Sequence, residues 1–241
     1  MSGHSKWHSI RHKKAVIDSK RAGAFTRLAK DITVAAREGG DPEMNFRLRL
    51  AIDRAKAANM PKENIERAIG RGTGENKDGV QVEEVIYEAY GPGQIAMLIK
   101  VLTDNKNRTI SEIRNLLKKN NGKMAEGGGV AWQFEQSGFL RAKINKDGGM
   151  TADEVELAII ESGAKDYQTE EDEYLIYTLP ADLKVVKENL EKQGLKVEEA
   201  DLVFLAKNKI EVSDNERESY ENLYKTLDEH DDVAAIFDNL L

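Results

Sequence analysis

Through the first third of the chain, apolar residues recur at helical spacing. Phe25, Leu28, Ile32 and Ala35 lie three or four positions apart, and the run stops at Gly39-Gly40, where a left-handed cap forms easily, so a first helix is expected there. Asp41 reads as the cap of a second helix with Pro42 in its first turn and Met44, Leu48, Ala51, Ala55 and Ala58 as its apolar stripe. A short third helix follows Pro61, with Ile65, Ala68 and Ile69 facing inward and Gly70 as its end. Residues 15–70 therefore predict a small three-helix domain, and the run Gly70 to Gly79 reads as a linker. It lacks the Lys-Ser or Lys-Thr pair and the preceding strand of a phosphate-cradling loop.

Beyond the linker the period shortens. Val82 to Tyr90 and Ile95 to Leu102 read as strands joined by Gly91-Pro92-Gly93, followed by a helix with Ile110, Ile113, Leu116 and Leu117 inward. Val130 to Phe134 and Phe139 to Ile144 read as a second hairpin turning at Ser137-Gly138, with Trp132 and Phe134 packed inward and Gly127-Gly128-Gly129 as a hinge before it. A helix from Thr151 carries Val155, Leu157, Ala158 and Ile159. Strands near 165–168 and 174–178, a helix over 181–193 and a strand over 195–205 complete one α+β sandwich.

Two fragments are left over. The ββα unit at 80–120 lacks half a sheet, and the strand 210–213, helix 214–229 and strand 233–237 lack a partner. An orphan hairpin cannot bury its sheet face alone, so the fragments are expected to complete one another. The predicted domains are 1–78, a basic arm plus helices; 79–129 with 206–241, a discontinuous α+β domain; and 130–205, an α+β domain inserted into it. The fold class is multidomain α and α+β, with an N-terminal three-helix domain and two ferredoxin-like α+β sandwiches.

Charge adds a direction to this plan. The chain of 241 residues carries a net −7, but residues 1–74 hold 16 basic and 8 acidic side chains, leaving −15 for the remainder. The first thirty residues set eight Lys or Arg against the single carboxylate of Asp18 and include His4, His8, His12 and Trp7. Cations displace the counterions condensed on a polyphosphate, and an aromatic ring stacks on a base, so this arm points to nucleic acid. The expected contacts are Lys6, Arg11, Lys13, Lys14, Lys20 and Arg21 on phosphates and Trp7 on a base. Alternative readings of such an arm are a solvated tail or an organelle transit peptide. Phosphate contacts give affinity and register without sequence choice, and no helix presents an obvious row of Arg, Asn and Gln for reading a major groove. The absence of cysteine removes disulfides, thiolate metal sites and thiol nucleophiles, and fits a reducing, cytoplasmic setting.

The chemistry candidates are few. The loop Asn105, Lys106, Asn107, Arg108 stands at a strand-to-helix junction where an anion could settle, although Asp104 or Asn107 capping a helix that begins near Thr109 accounts for the same residues. His230 stands apart from the other histidines, and the four-residue spacing of His4, His8 and His12 comes without a carboxylate partner. No catalytic residue, cofactor or metal is therefore expected. An acidic interdomain cleft lined by Glu83, Glu84 and Glu88 would suit a basic protein segment.

The motifs Gly3 to Trp7 (GHSKW), Lys56 to Gly74 (KAANMPKENIERAIGRGTG), the GPGQIAMLI run from Gly91 and TDNKNRT at Thr103 to Thr109 occur in order along the chain. Together they resemble the YebC/PmpR family over its whole length. That resemblance implies a three-domain fold and a non-enzymatic regulator of gene expression, most directly a DNA-binding transcriptional regulator. Similar proteins, including a mitochondrial translational activator of cytochrome oxidase, imply the alternative of RNA or ribosome binding and translation regulation.

Overall fold

The computed structural model describes residues 21–75, 81–143, 150–170 and 173–241. It divides into two compact units, one of residues up to Phe134 together with Ala206–Leu241, the other Glu135–Leu205.

The first unit opens with three helices, α1 (Arg21–Ala35), α2 (Phe46–Ala57) and α3 (Lys62–Gly72). Ile32, Ala35, Leu48, Ala51, Ala55, Ile65 and Ala68 form their shared core, the inward positions expected from the helical period. Helix α2 starts later than its sequence suggests. Asn45, not Asp41, caps it: the buried side chain accepts from Leu48 N at 3.0 Å and donates to Ala35 O and Gly39 O at 2.7 and 2.8 Å. Asn45 thereby joins two helix ends, whereas Asp41 closes a local turn by accepting from Glu43 N, and Met44 is left exposed. Helix α3 runs through Gly70 to Gly72, where its close approach to α1 needs a glycine. A Cβ on Gly72 would stand 2.4 Å from Thr33 O and 2.6 Å from Ala36 Cβ. The linker expected over 70–79 thus begins inside this helix, and residues 76–80 lie outside the described residues.

The same unit continues with β1 (Glu83–Tyr90), β2 (Ala96–Thr103), α4 (Lys106–Lys119) and β3 (Lys123–Met124), and later with α7 (Asp214–Asp228) and β8 (Val233–Asp238). Its four-stranded sheet has the order β3-β1-β2-β8. β1 and β2 pair antiparallel from Glu83↔Thr103 to Tyr90↔Ala96, turning at Gly91-Pro92-Gly93, where Gly93 takes φ +66°. β8 closes the other side of β2, with Ile99 opposite Ile236 and Leu98 opposite Phe237. Tyr87, Met97, Ile99 and Val101 pack there against Ile113 and Leu117 of α4 and Tyr220, Leu223 and Leu227 of α7. The strand expected at 210–213 is reduced to one bridge, Ile210 with Leu240.

The second unit comprises most of β4 (Phe134–Lys143), then α5 (Ala152–Glu161), β5 (Asp166–Glu170), β6 (Glu173–Thr178), α6 (Leu183–Lys192) and β7 (Lys196–Ala206). Its βαββαβ succession and sheet order β5-β6-β4-β7 are those of a ferredoxin-like sandwich. A capping box of Thr151 and Glu154 starts α5. The hairpin expected over 130–144 is not formed. Residues Ala131–Gln133 make a short 3-10 turn and β4 runs straight through Ser137-Gly138. The glycine there serves close packing and not a turn, since a Cβ on Gly138 would lie 2.1 Å from Thr178 Oγ1, and Ser137 Oγ donates to Thr178 O at 2.9 Å. Leu157 faces solvent, as does Trp132, whereas Phe134 is buried.

The whole is thus a mixed multidomain α and α+β protein, with one helical segment and two four-stranded sheets.

Candidate functional site

Of the arm's expected contacts, Lys6, Trp7, Arg11, Lys13, Lys14 and Lys20 lie outside the described residues, and Arg21 is the first residue of α1. Two further cations of the basic segment have defined partners. Arg27 Nη1 donates to Asp228 O at 2.7 Å, and Lys30 Nζ forms a short ion pair with Asp232 and lies 3.4 Å from Asp231 O. Both fasten α1 to the turn between α7 and β8 and are spent on the fold.

Asp232 is the hub of that turn. Its side chain is only 4% exposed, and beyond Lys30 it accepts from Arg108 Nη2 at 2.9 Å and from Thr109 Oγ1 at 2.6 Å. Its backbone carbonyl accepts from Leu102 N at 2.8 Å. Burial alone would push this carboxyl up, but the hydrogen bonds from Lys30, Thr109 and Arg108, with the Lys30 charge, outweigh it and hold the group well below the usual carboxylate range.

The candidate anion loop is accounted for by the same network. Asn105, not Asp104 or Asn107, caps α4, accepting from Arg108 N at 3.0 Å, and the helix begins at Lys106. Lys106 Nζ lies 2.5 Å from Glu83, and Arg108 is shared between Asp104 and Asp232. Its cations already meet internal carboxylates, so an anion would have to displace them.

His230 is not isolated. Its Nδ1 accepts from Asp232 N at 3.1 Å, which leaves the proton on Nε2 to donate to Glu112 Oε2 at 3.0 Å. Glu112, His230 and Asp232 bring ligand atoms within 4.8 Å of one another. A metal there would stand beside the ammonium of Lys30 and the guanidinium of Arg108, so the trio reads as part of the ion-pair network.

The acidic trio proposed for a cleft is likewise engaged. Glu83 pairs with Lys106, and that bond and its charge lower the Glu83 carboxyl. Glu84 bridges Arg47 at 2.5 Å and Lys100 at 3.2 Å. Glu88 accepts backbone hydrogen bonds from Gly128, Val130 and Ala131 at 2.7, 2.6 and 2.8 Å. Burial opposes its charge, yet the three amides win and lower its pKa. Glu88 therefore fixes the glycine-rich loop.

The sequence pattern of the TACO1/YebC protein N-terminal domain matches residues 5–75, and that of the TACO1/YebC second and third domain matches residues 82–240. The chain is similar to a probable transcriptional regulatory protein of Syntrophomonas wolfei, 47% identical over 243 residues that span 100% of this chain and 96% of the relative. A protein of the same description from Persephonella marina is 48% identical over 242 residues, spanning 99% and 95%. The crystal structure of a conserved hypothetical protein from Aquifex aeolicus superposes with a TM-score of 0.88 at 41% identity, covering 98% of this chain and 97% of that one. The fold defines a mixed α and α+β protein with one helical part and two four-stranded sheets. This chain belongs to the TACO1/YebC family. Among the described residues, no helix is long and apolar enough to cross a membrane.

Proposed function

We propose that this protein is a non-enzymatic, nucleic-acid-binding regulator of gene expression, with duplex DNA as its leading target and a cytoplasmic place of action. The observation that carries the reading is the charge division: eight cations against one carboxylate in residues 1–30, followed by an acidic remainder. A phosphate backbone is drawn to one end of such a molecule and repelled by the rest, which orients the encounter. The names of the relatives as probable transcriptional regulatory proteins support the same reading.

On this reading residues 1–78 are the nucleic-acid module, and residues 79–129 with 206–241 form a discontinuous domain that carries 130–205 as an insert. Lys6, Arg11, Lys13, Lys14, Lys20 and Arg21 make phosphate contacts. Trp7 favours a second reading, binding to RNA or to the ribosome, because a ring beside cations suits unpaired bases. Anisotropy of labelled probes tests both. Matched DNA duplex bound more tightly than structured RNA or ribosomes supports the leading reading, the reverse order supports the second, and binding to none of them contradicts both.

A further inference from the structure

A second aromatic and cationic surface stands far from the arm in sequence, on the acidic part of the chain. Trp132 is 65% exposed, an unfavourable place for an indole without a use. It is nevertheless held in position. Its Nε1 donates to Gly129 O at 3.1 Å, and Tyr90 Oη donates to the same carbonyl at 3.1 Å. The Glu88 carboxylate holds the loop through the amides of Gly128, Val130 and Ala131. The ring is thus presented by a fixed loop and loses little freedom on contact.

Two lysines stand at this loop. Lys207 Nζ donates to Trp132 O at 2.8 Å, and Lys123 Nζ stands 5.5 Å from the centroid of the Tyr90 ring. Both lysines are exposed, and neither meets a carboxylate within ion-pair distance among the described residues. The Glu88 charge is taken up by three amides, which leaves Glu126 as the loop's one opposing carboxylate.

We propose that Trp132, with Lys207 at its own carbonyl and Lys123 over the neighbouring Tyr90 ring, is a stacking platform for an unpaired base of single-stranded nucleic acid. The π-face takes any base, and the two ammonium groups take the adjoining phosphates. Duplex DNA, whose bases are stacked and paired, offers nothing to the indole. The site lies outside the basic arm in sequence and does not depend on the reading given to that arm.

Trp132 is one of two tryptophans, so Trp7→Phe in the full chain makes its fluorescence a private reporter. Oligouridylate and oligothymidylate are expected to quench that emission saturably, whereas matched duplex, polyphosphate and polyglutamate leave it unchanged. The same quenching is expected after Lys13 and Lys14 are replaced with Ala, and Lys207→Ala should weaken it. In the otherwise unaltered chain, Trp132→Ala should lower affinity for oligouridylate by about five- to a hundredfold, with Trp132→Phe retaining part of the binding. Emission that stays constant while labelled oligonucleotide saturates the arm would overturn the platform and leave the arm's role standing. Equal quenching by polyphosphate or polyglutamate would also overturn it, since the surface would then sense charge or polypeptide and not a base.

Discussion

Lys30 and Asp232, 202 positions apart in sequence, meet in an ion pair that ties the first described helix to the turn before the last strand. Because Arg108 and Thr109 converge on the same carboxylate, the pair also fixes the start of α4. Removing the carboxylate would leave the largely buried Lys30 ammonium without its ion pair, whereas the more exposed Arg108 keeps Asp104. Asp232→Ala is expected to destabilise the protein by about 3 kcal/mol, read as a lower urea midpoint with an unchanged slope.

The pH dependence follows in sign. Asp232 has a folded pKa below its unfolded value of about 3.9, so the unfolded chain binds the extra proton and stability falls as pH drops through that range. The contribution is fully present above about pH 5 and fades progressively below it. Urea midpoints of wild type and Asp232→Ala should therefore lie far apart at neutral pH and draw together in acid. A gap that stays constant down to pH 3 would contradict the assignment.

Gly72 separates two opposing effects of one methyl group. Helix propensity alone favours alanine by up to about 1 kcal/mol. A Cβ at 2.4 Å from a backbone carbonyl of α1, however, requires two helices to move apart. Gly72→Ala is expected to lower stability by about 1 kcal/mol or more, and a stabilised variant in thermal unfolding would show that α1 and α3 are not in this contact.

Arg27 and Lys30 are committed to the turn around Asp232, which leaves six of the eight cations in residues 1–30 for phosphates. Each neutralised duplex phosphate contributes about −0.9 to the slope of log affinity against log salt, so the slope should be no steeper than about −5.4. Replacing Lys13 and Lys14 with Ala should flatten it by about two units and weaken all duplex sequences alike, as positioning contacts do. A steeper slope would mean that cations elsewhere on the chain take part.

Much of the fold was legible in the sequence because it rests on period and on turn residues. The inward positions of α1 to α3, the Gly91-Pro92-Gly93 turn and the pairing of β8 with β2 all follow from apolar spacing and from fragments needing partners. The reading of Ser137-Gly138 as a turn failed because a glycine serves close packing as readily as a bend, and only the neighbouring Thr178 tells which. Asn45 displaced Asp41 as a cap through bonds to Ala35 and Gly39, contacts that local pattern does not encode. The network around Asp232 was invisible for a related reason. His230, Asp231 and Asp232 look like ordinary turn residues, and nothing in the sequence joins them to Lys30, Arg108 or Glu112. Trp132 was expected to be inward because a strand was expected there; once the segment is a 3-10 turn, the alternation that would have buried it no longer applies.

On the proposed reading, affinity for duplex nucleic acid resides in the basic N-terminal segment. The most direct test compares the full chain with one lacking residues 1–20, which retains every described helix and strand. By titration of a labelled matched duplex at low salt, the shortened chain should lose nearly all binding and its salt slope while keeping its thermal unfolding transition. Duplex binding that survives the removal undiminished would contradict the account and place the binding surface on the acidic remainder.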